Sequence, residues 1–501
     1  MLKTLKIISR KSTLAKIQAG IVGDKIKDVY PSIKIEYLCK ETEGDIDLTT
    51  PLSKMPAIGV FTNDIRNELL SKNADIAVHS WKDLPVEMDS GTGIFATINR
   101  SDSRDIFLFK KGSIKKKSIN ILTSSPRRSE NLSFFLPKAL PSLPAEINFL
   151  DVRGNISTRI NKLLNSEADG LVMAKAALDR IFNSQLDEAK IEKDQIYKAF
   201  ESLKWMILPI SENPSAPAQG ALAIEARSED ENIKNLLEKI NNKKVFSSVI
   251  KERKILKKYG GGCHQKIGVS CEVFKMGEFL SLKGLTEDGL KLDKKEFTPN
   301  LEFKNLGLKE ISSFYPKKEE KPLFFDRKDL PEAKDVIENL KNSGIYVSRS
   351  NALQENIRID SSNIIWTSGI ETWEKLAKQG IWVNGSSDSM GEDQCDAENI
   401  LGPIKWYKLS HDLAFDGNKE IIPTYQLIER GIPEEILNIS HFYWMSASSF
   451  KYAIKNTPEI LNANHACGMG KTFDQINAVI PGKVYPYLKY KDWLDKIEQA
   501  K

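Results

Sequence analysis

Little in this chain suits disulfide, metal or membrane chemistry. It has five cysteines in 501 residues, at Cys39, Cys263, Cys271, Cys395 and Cys467, an odd number without CxxC spacing. That pattern argues against a disulfide framework and for a reducing compartment. Histidine is equally scarce at five, and only His465 and Cys467 stand in ligand-pair spacing, a pair that reads as structural. No metal is expected. No stretch approaches the roughly 18 apolar residues of a membrane span. The opening MLKTLKIISRKST offers only a four-residue apolar patch before charges resume, too short for a signal-peptide core. Charge of one sign is missing as well: 73 basic residues face 68 acidic ones, and a net +5 does not by itself suggest a nucleic-acid or membrane partner. The expectation is a soluble cytoplasmic protein whose anion binding is local.

What the chain has is size and pattern. At 501 residues and 41% hydrophobic content it sustains three or four domains, each with a core. Short apolar runs alternate with amphipathic helical patterns through the first two hundred residues, which predicts α/β units around largely parallel sheets. LKIIS reads as a strand, followed by Ser12 as an N-cap and by Leu14, Ile17, Ile21 and Val22 at helical spacing. NADIAVHS, SINILTSS, INFLDV and DGLVMA repeat the design, and in open α/β sheets such carboxyl ends line the ligand crevice. NPSAPAQGALAIEAR, from Asn213 to Arg227, reads as a crossing between lobes. Two helices ending in YGGGC and strands such as FLSLKGLTEDG then close a small α+β domain near residue 312, and YPKKEEKP, from Tyr315 to Pro322, reads as a linker. Beyond it, the segments starting NIIWTSG and HFYWMSA each run strand, Ser-rich turn, helix, strand, Gly-rich turn, helix. Two similar α/β halves imply a cleft between them.

Cations cluster at the predicted strand ends. Arg10 follows LKIIS, Lys82 follows IAVHS, Arg127 and Arg128 follow ILTSSP, and Arg153 and Arg159 follow INFLDV; Arg180 closes the helix after DGLVMA. Taken singly, each arginine reads equally well as a solvated surface group. Together they predict one crevice for a ligand with several acidic groups, which guanidinium forks bind bidentately. In TSSPRR, Ser125 caps a helix beginning at Pro126, so that backbone N–H groups, two hydroxyls and two guanidiniums face one point. Asp83 is the lone acid in this setting. Positive surroundings should keep it ionised, suited to stabilising a developing cation or accepting a ligand N–H. The alternative is a Lys82–Asp83 turn that merely caps a helix. YGGGCHQKIG sets Cys263 on a glycine-rich, approachable loop. His264 beside it invites a Cys/His nucleophile or metal reading, which nothing else in the chain supports. GMGKT mimics a phosphate loop, but His465 stands where the motif needs glycine, so nucleotide binding is rejected.

The motifs RKSTLAKIQA, TPLSKMPAIGVFTND, ADIAVHSWKDLP, SDSRDIF, TSSPRR, LDVRGNISTRI, AALDRI, PAQGALAIEAR and KYGGGCHQKIG stand in the order and spacing of porphobilinogen deaminase, also called hydroxymethylbilane synthase. The resemblance covers roughly residues 4 to 310. It implies two periplasmic-binding-protein-like α/β lobes plus a small α+β domain, and condensation of four porphobilinogen molecules into linear hydroxymethylbilane with release of ammonia. It implies a covalent dipyrromethane cofactor on a thioether to Cys263. Asp83 matches the family's catalytic aspartate, which contacts pyrrole nitrogens. Ser12, Lys82, Asp83, Thr123, Ser124, Ser125, Arg127, Arg128, Arg153 and Gly154 match positions that hold the cofactor. Arg10, Arg153, Arg159 and Arg180 match positions that hold the carboxylates of substrate and growing chain. One departure is Ile58 in PAIG, where family members usually carry lysine in a mobile loop, with Pro56 beside it.

From about residue 322 the chain resembles uroporphyrinogen-III synthase more faintly. PLFFDRKDLPEAKDVIENLKNSGIYV looks like that family's opening strand and helix, and WTSGIETW and WMSASSFKYA look like its Thr-Ser turns. The implied module is two-lobed α/β and cyclises the bilane; its rival is a non-catalytic domain that guides the bilane. The predicted domains are residues 1–97 with 204–226, 98–203, 227–314, a linker at 315–322, and 323–501. The expected protein is a monomer acting on small molecules. Two other classes are weighed. A polyanion-binding protein without catalysis fits two arginine-lined lobes, but not Asp83 or the Cys263 loop. A nucleic-acid binder using KKGSIKKKS, Lys110 to Ser118, would show steep salt dependence, and a solvated loop is the simpler meaning.

Overall fold

The structure is a computed structural model that describes residues 3–41, 63–86, 90–142, 144–261, 265–274, 276–300, 311–317, 324–392, 400, 402–414 and 418–500. It divides into two compact units, the first comprising residues 1–137, 142–273 and 279–295, the second 138–141, 274–278 and 296–501. No helix among the described residues is long and apolar enough to cross a membrane.

The first unit holds two five-stranded sheets of the same design. One contains β1 (Thr4–Arg10), β2 (Lys34–Lys40), β3 (Ile76–Ser80), β4 (Thr92–Ala96) and, far along the chain, β10 (Leu222–Arg227), in the order β2-β1-β3-β10-β4. The other contains β5 (Asp105–Lys110), β6 (Ser118–Leu122), β7 (Glu146–Leu150), β8 (Gly170–Ala174) and β9 (Leu203–Ile207), in the order β7-β6-β8-β5-β9. Each has a parallel trio, and each takes one antiparallel strand into its interior: β10 against β3 and β4, β5 against β8 and β9. The chain crosses between lobes twice, so each lobe is completed by a strand lying next to a crossing. The return comes later than the sequence boundary at residue 204 suggests, because Leu203–Ile207 pairs with β5 and only Leu222–Arg227 rejoins the first sheet.

Local sequence explains the first lobe. The Ser12 hydroxyl accepts from the Ala15 N–H at 3.4 Å and starts the Thr13–Val29 helix. Its buried residues include Ala15, Ile17, Ala19, Val22 and Ile26, of which Ala19, Val22 and Ile26 pack in one cluster with Leu5 and Ile7 of β1. Each fully buried aliphatic contributes about 1.5–3 kcal/mol. Ile21, expected on that face, is exposed, because the i, i+4, i+7 stripe from Ala15 passes it by. The Glu231–Ile240 helix also packs here through Ile233, Leu236, Leu237 and Ile240, so it joins the first lobe rather than the small domain. The small domain is the Lys243–Lys257 helix over a three-stranded sheet of β11 (Lys266–Val273), β12 (Gly277–Leu285) and β13 (Lys291–Pro299), with Cys271 as a core side chain.

The second unit has two sheets. One is β15 (Phe325–Asp329), β16 (Gly344–Val347), β17 (Ile364–Thr367), β18 (Gly385–Ser386), β19 (Trp406–His411) and β20 (Glu420–Glu429), ordered β15-β20-β19-β16-β17-β18. The other is β14 (Phe314–Tyr315), β21 (His441–Trp444), β22 (Asn464–Gly468) and β23 (Val484–Tyr487), in that order. Phe314–Tyr315 pairs with His441–Phe442, so Tyr315 is a strand residue rather than linker. Phe325–Asp329, read from the sequence as an opening strand, runs antiparallel to β20. His465 Nδ1 accepts from the Trp444 indole N–H at 2.9 Å within an aromatic core, and burial pushes its pKa down to about 4. Cys467 lies in the same core, where burial pushes its thiol up.

Candidate active site

Strand β3 is buried up to His79 and ends in a tight turn, Trp81–Asp83. Trp81 and Leu84 are pulled into a cluster with Ala218, Ala221, Ala223 and Val249, and Trp81 packs on Phe246 at 5.1 Å between ring centroids. With both flanks pinned inward, Asp83 is exposed. No helix follows within the described residues up to Val86, so the capping alternative is not what this turn does. Beside it lies a small pocket of about 90 Å³ lined by Arg10, Ser12, Gln18, Ser80, Asp83 and Leu84.

The charge of Asp83 acts on cations from both lobes. Lys82 is half-buried and donates to Gln219 Oε1 at 3.3 Å; burial, with Arg128 and Arg127, lowers its pKa against the pull of Asp83 and Asp105. Arg159 lies on the Ile156–Asn165 helix, which Asn155 caps by accepting from the Thr158 N–H at 2.8 Å. Burial and then Arg128 push Arg159 down to about 10, with Asp83 opposing. Burial likewise brings Arg180 to about 10, with Asp179 and Asp83 opposing. Arg180 donates to the Gly220 carbonyl at 2.7 Å, while its buried Nε has no partner among the described residues. Gly154, at φ +115°, accepts from Arg159 Nε at 2.7 Å through its carbonyl. A Cβ there would stand 2.6 Å from Thr158 Cγ2, so only glycine fits this turn. Arg10 and Arg153 are half-buried at the ends of β1 and just beyond β7.

The TSSPRR segment differs from its sequence reading. The helix does begin at Pro126, but the Thr123 and Ser124 hydroxyls ahead of it build the turn. The Ser124 hydroxyl donates to the Val152 carbonyl and accepts from the Val152 N–H, both at 2.8 Å, and Thr123 Oγ1 accepts from the Ser125 N–H at 3.3 Å. Both guanidiniums turn toward a buried carboxylate, Asp105. Arg127 Nη2 reaches it at 2.8 Å, Arg128 Nη2 at 2.7 Å and Arg128 Nε at 3.1 Å. Asn213 and Gln219 donate to the same carboxylate at 2.9 and 2.8 Å. Burial alone would raise the pKa of Asp105, but the two arginines outweigh it and hold the group well below the usual carboxylate range. A guanidinium carries five N–H donors. Arg128 spends three among the described residues, on Asp105 and the Val172 carbonyl, so it keeps capacity for a ligand. Asp105 and Gln219 are the site residues that sequence reasoning missed; both stood inside quoted motifs, SDSRDIF and PAQG, without an assigned task. Cys263, His264, Pro56 and Ile58 lie outside the described residues.

The family described as porphobilinogen deaminase, dipyromethane cofactor binding domain, matches residues 5–235. A porphobilinogen deaminase of Caldicellulosiruptor saccharolyticus is 36% identical over 304 residues, which span 59% of this chain and 96% of that protein. The chain belongs to the porphobilinogen deaminase family. A probable porphobilinogen deaminase of Saccharolobus islandicus is 35% identical over 266 residues, 53% of this chain and 81% of that protein. Among solved structures, the extracellular-binding protein of a probable amino-acid ABC transporter from Bacillus subtilis covers 51% of this chain and 97% of its own at 9% identity and a TM-score of 0.26, too distant to carry an argument. Membership in the deaminase family brings hydroxymethylbilane synthase activity in tetrapyrrole biosynthesis, together with the dipyrromethane cofactor. The described residues fit that cofactor: Arg128 has spent three of its five donors among them, and Arg128 and Arg153 lie close enough to act on one further cation, Arg159, an excess of positive charge that a ligand bearing several carboxylates would relieve.

Proposed function

We propose that Asp83 is the catalytic carboxylate of this deaminase and that Arg10, Lys82, Arg153, Arg159 and Arg180 hold the acetate and propionate groups of substrate and growing chain. Ser12, Thr123, Ser124, Ser125, Arg127, Arg128 and Gly154 frame the cofactor end, with Cys263 as its thioether anchor. The observation that carries this reading is one exposed carboxylate at a strand end, sharing a pocket with Arg10 and Ser12, whose charge acts on Lys82, Arg159 and Arg180. When bound, the dipyrromethane supplies the primer to which the first substrate pyrrole is joined. The cations fix the acidic side chains of the incoming pyrrole, which leaves its ring over Asp83. As ammonia departs, positive charge develops on that ring, and Asp83 stabilises it while accepting the pyrrole N–H. The arginines cannot stabilise that charge, so the single carboxylate is the group the reaction needs. Intact mass tests the anchor: the purified, denatured protein should carry an excess of two porphobilinogen-derived pyrroles, absent from Cys263→Ala. A bare mass that persists after incubation with porphobilinogen would favour a polyanion-binding protein.

For residues 323–501 we propose uroporphyrinogen-III synthase activity, cyclisation of the bilane. Support comes from two α/β lobes whose strand-end loops meet: Arg349, just past β16, donates to the Met445 carbonyl, just past β21, at 3.1 Å. Past β18 and β22, Gly391 and Gly470 touch so closely that a Cβ on Gly470 would lie 2.8 Å from the Gly391 Cα. Strand-end loops of this kind form ligand crevices. Arg327 lies over the Tyr425 ring at 4.1 Å, and both Arg349 and Arg327 lower the Tyr425 pKa against the larger effect of burial, adding cations suited to a polycarboxylate. Incubating the full chain with porphobilinogen and separating the cyclised isomers is expected to give type III; exclusively type I product would mark a non-catalytic module.

A further inference from the structure

The Asp83 carboxylate takes no hydrogen bond from any described residue, so its position depends on the backbone of its turn. One guanidinium holds that backbone. Arg253, buried in the Lys243–Lys257 helix, donates through Nη1 to the Trp81 and Leu84 carbonyls at 3.2 and 3.3 Å. Through Nη2 it donates to Leu84 at 3.3 Å and to the Pro85 carbonyl. Three carbonyls that bracket Asp83 thus converge on one planar fork, a geometry a flexible ammonium reproduces poorly. The helix is itself anchored. Phe246 and Val249 pack on Trp81, and Glu252 accepts from the Ala218 and Cys271 N–H groups, both at 2.7 Å, and from Arg100 Nη1 and Nη2 at 2.8 and 3.1 Å. In sequence this helix runs directly into Gly260 and Gly261 and then Cys263.

We infer that Arg253 is a positioning residue for the condensation: it fixes the Trp81–Pro85 backbone so that Asp83 meets the reacting pyrrole, and it ties that alignment to the helix preceding the cofactor cysteine. The inference rests on Asp83 being the catalytic carboxylate. Arg253 touches no reacting atom, and its effect should fall on the chemical step more than on carboxylate binding.

Arg227 provides the control, because it is also buried and clamps carbonyls, those of Leu69 and Ala74 at 2.8 and 2.7 Å, away from the Asp83 turn. Arg253→Met, Arg253→Lys, Arg227→Met and Asp83→Asn would be compared for cofactor mass, thermal midpoint, kcat and KM. Arg253→Met is expected to keep the cofactor mass and lose about 100-fold in kcat, the scale of a misplacement near 1 Å. Its KM should stay within about threefold, the signature of an effect confined to the chemical step. Arg253→Lys should recover part of that loss, and Arg227→Met should lose stability with kcat nearly unchanged. The inference fails if Arg253→Met is no slower than Arg227→Met, if its loss lies wholly in KM, or if it carries no cofactor. Should Arg253→Met not fold, Arg253→Lys decides: reduced kcat at unchanged KM supports the inference, and wild-type kcat overturns it. Normal turnover in Asp83→Asn would remove the catalytic assignment itself, whereas a slow Asp83→Asn beside an unaffected Arg253→Met removes only the role of Arg253.

Discussion

Replacing Asp83 with asparagine is expected to slow turnover by about 1000-fold, the upper range for removing one preorganised electrostatic stabiliser. Asparagine keeps the shape and an acceptor oxygen while deleting the charge, so the loss should appear in kcat. KM should hold steady or fall, because the variant removes the anion that competes with substrate carboxylates for Lys82, Arg159 and Arg180. Stability should change little, since Asp83 is exposed. Steady-state kinetics beside a thermal melt checks both halves; turnover within a few-fold of the parent would take Asp83 out of the mechanism.

Asp105→Asn is expected to act on the fold instead. This carboxylate accepts from Arg127, Arg128, Asn213 and Gln219 in a buried setting, and neutralising it leaves two guanidiniums without their counter-charge. Breaking a buried pair from one side costs about 3–5 kcal/mol. Denaturant unfolding at neutral pH should show that loss as a lower midpoint. The pH dependence has a definite sign. Asp105 is depressed in the folded state, so its contribution is complete above the unfolded carboxyl value of about 3.9 and is lost as pH falls toward the folded value. The gap between parent and variant should therefore be flat from neutral pH down to about pH 5 and narrow below about pH 4. A gap that widens on acidification would contradict the ionised Asp105 described above.

Much of the catalytic unit was legible because short apolar runs alternate with helical spacing, and the residues after each run then sit at a strand's carboxyl end. Arg10, Lys82, Arg153 and Asp83 follow from that rule alone. What it cannot show is where a long side chain turns. Arg127 and Arg128 stand after a strand as the rule requires, yet bend back to Asp105, 22 and 23 positions earlier. Arg253 reads as one more basic residue on a lysine-rich helix, and its partners lie 168 to 172 positions away. Such pairings are fixed by the two lobe crossings, and no local pattern encodes them. Ile21 fails for a nearer reason: an apolar residue at plausible spacing fell just outside the stripe chosen by Ala15, Ala19 and Val22.

The late return of β10 to the interior of the first sheet has a consequence for synthesis on the ribosome. β10 lies between β3 and β4, yet 125 residues separate Ala96 from Leu222. At 5–20 residues per second, the first sheet must wait about 6–25 s for its missing strand. During that interval the hydrogen-bonding edge of β3, already emerged, has no native neighbour on that side. The second lobe has no such delay, since β5 is made before the strands it joins. The lobe that starts first is therefore the one that finishes last, and its nascent form is the stage at which a holdase chaperone would find the most to bind.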